Sequence, residues 1–196
     1  PAITALTSIV TLPLFFEVHR MSVFTPRSLD VDVVLDLMIH DLDIVLSLGG
    51  QTPAEIRASG ISILSSKVDI ANVRLAFAGG CVANLTASRV STERVRKLRL
   101  FQPREYISVD YTRQETHVLK VGADHQIHFQ PLAVENKEPL RLELESFLDS
   151  VESRARPRVT GVDALRALEV ALGILGKIEE HTRVVAETVA VYRGSH

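Results

Sequence analysis

Asp36 and His40 stand four residues apart in the stretch VDVVLDLMIHDLDIVLSLGG. That is one turn of an α-helix, where a carboxylate can fix the tautomer of an imidazole and stabilise its protonated form. A base with an orienting partner needs no more than this. The stretch is apolar nearly all round, so a charge in it requires a partner or an open cleft. Asp32, Asp36, His40 and Asp43 follow one another at intervals of four, four and three, which places them on one helical face. The same spacing suits a structural pair at a helix surface, or two ligands of a divalent ion with Asp32 or Asp43 as the third. Spacing alone leaves the three readings open.

Arg20 and Arg27 flank the end of the segment that leads into this helix, and Arg89 follows Ser88 at the end of a later strand. Forked guanidinium donors there could hold a carboxylate or phosphate of a substrate, or simply be solvated. The remaining histidines, 19, 117, 125, 128, 181 and 196, have no ligand spacing. The glycines form neither G-x-G-x-x-G nor a phosphate loop, so no dinucleotide cradle is expected within these residues.

Lys and Arg number 22 against 24 Asp and Glu in 196 residues, a formal net charge of −2. Such a balance gives no basic stripe and argues against nucleic acid as a partner. One cysteine, Cys81, excludes an intrachain disulfide and suits a reducing, cytoplasmic setting. No apolar run reaches the ~18 residues of a membrane span, and residues 1–16 lack a basic leader. A protein with no membrane partner is expected.

The elements that must position these side chains follow from periodicity. Residues 1–10 carry Ile3, Leu6 and Val10 at helical spacing, ended by Pro13. A strand is expected over 14–23 and the buried helix over 31–50, closed by Gly49 and Gly50. Alternation then sets in, with strands over 69–77 and 81–90 joined at Gly79-Gly80, and others over 95–102, 106–111, 115–121 and 126–132. Helical spacing returns beyond Glu138, with Leu140, Leu144, Phe147, Leu148 and Val151 as one stripe. Thr160 and Asp163 read as a capping box opening a last helix with Leu165, Leu168, Leu172 and Leu175 as its apolar face. Gly173 and Gly176 are expected to permit close packing. The sum is an α+β fold, an open, mostly antiparallel sheet with helices packed on one face. Ala83, Leu85 and Ala87 are expected on the other face, where a partner would cover them.

The helix VVLDLMIHDLDIVLSLGG resembles the signature of the Gfo/Idh/MocA oxidoreductases, in which an Asp, a His and a second Asp open the substrate domain. Here they are Asp36, His40 and Asp43. The strings DIANVRLAFAGGCVANLTASR, YISVDYTRQ, EPLRLELESFLDSV and VTGVDALRALEVALGI are similar to later family motifs, so the likeness spans Leu14 to Ile178. In one respect the chain departs: DVDVVL stands where many members have glycines before the signature.

The resemblance implies the C-terminal domain of an NAD- or NADP-dependent dehydrogenase acting on a secondary hydroxyl of a sugar or nucleotide sugar. FFEVHR and DVDVVLDLMIHD look closest to members acting on UDP-N-acetylglucosamine at C3. His40 would exchange the proton of the reacting hydroxyl, Asp36 would support it, and Arg20, Arg27, Asp43 and Arg89 would bind substrate. Residues 1–12 would end a helix of a preceding Rossmann domain, 13–182 form the substrate and oligomer domain, and 183–196 a tail. No cofactor is expected on this segment, which would be inactive alone. A homo-oligomer through the open sheet face is expected. Two rivals remain, a non-catalytic dimerisation module and a metal-dependent hydrolase using Asp36 and His40.

Overall fold

The computed structural model describes residues 2–26, 29–132 and 138–194. After a short helix α1 (Ala2–Leu6) come strand β1 (Phe15–Val23), a π-helical turn at Val34–Met38 and helix α2 (Ile39–Gly49). Seven strands follow: β2 (Pro53–Ile61), β3 (Ile70–Phe77), β4 (Val82–Ser91), β5 (Val95–Gln102), β6 (Glu105–Asp110), β7 (Glu115–Val121) and β8 (Ile127–Leu132). Helices α3 (Pro139–Ser153) and α4 (Gly161–Gly194) complete the chain. The strands form one sheet in the order β2-β3-β4-β1-β5-β6-β7-β8, in which β1 and β4 run parallel and every other neighbouring pair antiparallel.

Period-two alternation fixes which side chains share a face of the sheet. Val18 pairs with Leu85 on one side and Leu98 on the other, Leu85 with Val73, and Leu100 with Ile107. All are buried, and they form one continuous core with Met38, Leu42 and Val45 of the helical segment. Ala83, Leu85 and Ala87 belong to this covered face and are buried. Their expected place on the open face is therefore corrected. The alternation was right, but the helices lie on the other side of it.

A similar reversal occurs on α4. Its buried stripe is Ala167, Val170, Ala171, Ile174 and Ile178, whereas Leu165, Leu168 and Leu172 are exposed. Small residues on the inner stripe let the helix come close to β2. A Cβ on Gly60 would lie 2.8 Å from Ile178 Cγ2 and 2.7 Å from Val68 Cγ1. One on Gly173 would meet Ile56 Cδ1 at 3.1 Å, while Gly176 faces open space. The residues read as a separate tail from 183 continue α4 to Gly194. No breaker interrupts them, and Arg183 pairs with Glu179 one turn back.

Several local expectations are met. Gly80 takes a positive φ of 85° in the β3–β4 turn. Thr160 and Asp163 exchange bonds, Thr160 N donating at 2.9 Å and Asp163 N at 3.3 Å. Gly50 closes α2 in the left-handed region with its N–H on Leu46 O. Helix α3 differs from expectation: capped by the Glu138 carboxylate, it buries none of its side chains. Its stripe, Leu140 to Val151, remains exposed.

Candidate functional site

The segment that carries the Asp and His residues is held at three points. At its start Asp32 accepts a bond from Val68 N at 2.8 Å, and its carbonyl receives Leu35 N and Asp36 N. At its end Arg166 of α4 donates to Leu46 O at 2.7 Å. Between them Asp41 receives two parallel bonds from Arg20 of β1, Nε to Oδ2 at 2.6 Å and Nη2 to Oδ1 at 2.7 Å. Asp41 is only 2 % exposed. It lies on the inward stripe Met38, Asp41, Leu42, Val45, Leu46, and Arg20 shares the inward parity of Phe16 and Val18.

Sequence spacing overlooked this pair. The four charges with regular intervals drew attention to one face, yet the carboxylate that goes inward is the one out of step. The signal was available in the stripe itself, where an Asp replaces an apolar residue and requires a buried cation.

A π turn holds one residue more than an α turn, so a strict four-residue face does not carry through Val34–Met38. Asp36 lies in that turn, half-buried, and no hydrogen bond joins it to His40 among the described residues. His40 is exposed and, with Asp43, Ile39 and Ile44, lines a broad cleft of about 1350 Å³ between α2 and α3. Thr4 and Ala5 of α1, Leu144 and Phe147 of α3 and Arg158 complete parts of its wall, and Arg158 donates to Thr4 Oγ1 at 2.7 Å. The cleft is apolar over much of its surface, with polar groups on both walls, His40 and Asp43 on α2 facing Glu143, Glu145 and Asp149 on α3. Burial and the neighbouring Asp163 push the Asp43 carboxyl above its ordinary range, while His40 and Arg166 pull it back.

Arg20 and Arg89 both turn into the fold. Arg89 is 5 % exposed, with Nε 3.4 Å from Asp69 Oδ1 and Nη2 donating to Val31 O and to Val68 O. Asp69 in turn accepts Ile63 N and Leu64 N at 2.6 Å each and Ser65 N at 3.2 Å. Arg89 therefore braces the loops around the helix start and Arg20 holds the first turn of α2, and neither lines the cleft. Arg27 lies outside the described residues. No group of three His, Cys, Asp or Glu among the described residues could hold a metal ion.

The opposite face of the sheet carries charged pairs and aromatic rings. Glu17 lies 2.9 Å from Arg99 and 3.3 Å from His19. Phe15, Phe101 and Tyr106 contact in sequence, with centroids 5.8 and 4.9 Å apart.

Residues 11–107 match the model of the GFO/IDH/MocA C-terminal domain. UDP-N-acetylglucosamine 3-dehydrogenase of Acidithiobacillus ferrooxidans is 36 % identical over 172 residues, covering 85 % of this chain and 55 % of its own length. The chain belongs to the GFO/IDH/MocA family. The myo-inositol 2-dehydrogenase of Thermotoga maritima is 27 % identical over 166 residues, 80 % of this chain and 50 % of that protein. A solved structure of the Acidithiobacillus enzyme superposes with a TM-score of 0.86 at 35 % identity, over 92 % of this chain and 59 % of that one. Levoglucosan dehydrogenase in complex with NADH and L-sorbose shares the fold at a TM-score of 0.78 and 14 % identity, over 92 % of this chain and 60 % of that one. The chain thus spans about half the length of the curated relatives it matches. As a member of this family it has the fold of a GFO/IDH/MocA C-terminal domain, built on an eight-stranded open sheet. No helix of the described residues is long and apolar enough to cross a membrane.

Proposed function

We propose that this chain supplies the substrate side of an NAD(P)-dependent dehydrogenase that oxidises a secondary hydroxyl of a sugar or nucleotide sugar, UDP-N-acetylglucosamine at C3 being the first substrate to test. The observation that carries the reading is the exposed His40 beside Asp43 on the wall of a broad cleft, in a chain similar over most of its length to a UDP-N-acetylglucosamine 3-dehydrogenase. His40 takes the hydroxyl proton, and its place at the cleft surface leaves its ring nitrogens accessible to a bound sugar. Asp36, in the π turn that precedes α2, is assigned the supporting carboxylate of the imidazolium. Asp43 is a sugar hydroxyl ligand on the same wall.

Among the described residues no glycine-rich turn joins a strand to a helix N-terminus, the arrangement that receives a pyrophosphate. The role assigned to this chain therefore stops at the proton and the sugar.

Turnover of UDP-N-acetylglucosamine by the protein as encoded, with NAD or NADP, should fall about a hundredfold or more in His40→Ala. Near-parental turnover in that variant would remove His40 from the chemistry.

Assembly through the open sheet face is a second, compatible reading. The contiguous rings of Phe15, Phe101 and Tyr106, with Phe129 exposed beyond them, favour a second copy as the cover. Light scattering that gives a monomer mass at all concentrations would exclude it. The reducing, cytoplasmic setting rests on the lone free Cys81.

A further inference from the structure

The buried pair of Arg20 and Asp41 has more geometric than energetic value. Two opposite charges taken out of water lose much of their mutual attraction to desolvation, so such a pair is weak support for stability. A forked guanidinium on a carboxylate nevertheless fixes distance, plane and angle together. Here the fork joins the central strand β1 to the first turn of α2, and Asp41 is the residue that follows His40. Immediately before it the helix runs through a π turn, where one extra residue makes the direction of the following turn less determined by the backbone alone. Tyr111, just beyond β6, faces the pair: burial first and the Asp41 carboxylate second hold its phenol protonated well above the ordinary range, and Arg20 opposes this. Its hydroxyl is buried and makes no hydrogen bond among the described residues. Asp41 has both carboxylate oxygens engaged by Arg20, and neither residue lines the cleft.

We infer that Arg20 and Asp41 are positioning residues, a buried clamp that sets the rotation and depth of the first turn of α2 and so aims His40 into the cleft. The inference rests on the reading of His40 as the proton-exchanging group. It also reassigns Arg20, whose fork is engaged inside the fold rather than on the substrate.

The clamp can be removed without leaving a charge stranded by the double substitution Arg20→Met with Asp41→Leu, which replaces the pair by apolar groups of similar volume. In the protein as encoded, this variant is expected to remain folded and to melt close to the parent. Its kcat should fall about tenfold to a hundredfold with KM changed by less than about threefold, because a displaced base impairs the reaction more than it impairs binding. Arg20→Lys, which keeps the charge and removes the fork, should lower kcat by less, in the same pattern. A folded double variant with parental kcat would overturn the clamp.

A second measurement does not depend on turnover. In the NMR spectrum of this chain, the His40 ring should give one sharp set of resonances in the parent and shifted, broadened or doubled ones in Arg20→Lys and in the double variant. Unchanged ring resonances in both would overturn the clamp even if His40 proved to have no role in the chemistry. The loss of the His40 reading alone would show instead as full activity in His40→Ala with the resonance changes intact.

Discussion

Arg89 at the end of β4 and Asp69 ahead of β3 form an ion pair, Nε to Oδ1 at 3.4 Å, beneath the loop that joins β2 to β3. Asp69 gathers the N–H groups of that loop while Arg89 holds the carbonyls of Val31 and Val68, so two charged side chains fasten the entrance to the π turn and α2. This single cluster explains why the conspicuous arginine after Ser88 stays away from the cleft.

Removing one member of a buried pair leaves the other without compensation. Arg89→Met should lower stability by about 3 kcal/mol, the lower end of the usual range because Asp69 keeps its backbone donors. Urea denaturation of this chain checks the figure. A change within about 0.5 kcal/mol, as for a surface substitution, would return Arg89 to the solvent or the substrate.

Burial alone would raise the Asp69 carboxyl, but the N–H groups of Leu64, Ile63 and Ser65 and the Ser65 hydroxyl outweigh it and hold it below the ordinary range. A depressed folded-state value means stability present above the unfolded value, about 3.9, and lost as pH falls through the folded one. Melting temperature followed from pH 7 to pH 2 should fall below about pH 4, and the fall should be shallower in Asp69→Asn. The same acid limb in both proteins would assign it to other carboxyls, such as Glu17 and Glu105, which are also held low by their partners.

Asp43 works with the opposite sign. Burial and Asp163 raise its carboxyl, so its contribution is fully present below the unfolded value and is lost as pH rises through the folded one. Asp43→Asn should therefore melt higher than the parent at pH 7 and no higher at pH 3. An equal shift at both values would show that ionisation is not the cause.

Gly60 gives α4 its close approach to β2, since a Cβ there would press on Val68 and Ile178. Gly60→Ala should cost about 1–3 kcal/mol by overpacking, despite the gain in strand propensity. Gly176→Ala, facing open space in the same helix region, should be neutral or slightly stabilising. Paired thermal melts of the two variants make the comparison.

The sequence alone determined what is local. Alternation located β1 and β3 to β8 within a residue or so at each end, Gly80 marked the hairpin, Thr160 with Asp163 marked a helix start, and the Asp36, His40, Asp43 motif indicated the family. Each of these depends on residues a few positions apart, where backbone geometry leaves few choices. Tertiary structure alone decided which side of each pattern faces inward. Ala83, Leu85 and Ala87 went to the core, and Leu165, Leu168 and Leu172 of α4 stayed outside while Leu175 packed partly against the core beside Ala167 and Ala171. A period defines two faces but not the one a helix will cover, which depends on close approach at distant points such as Gly60 and Ile178. For the same reason Asp41 was hidden among more regular charges. Its meaning comes from Arg20, 21 residues earlier on a central strand, and a buried carboxylate is settled by whichever cation the fold brings to it.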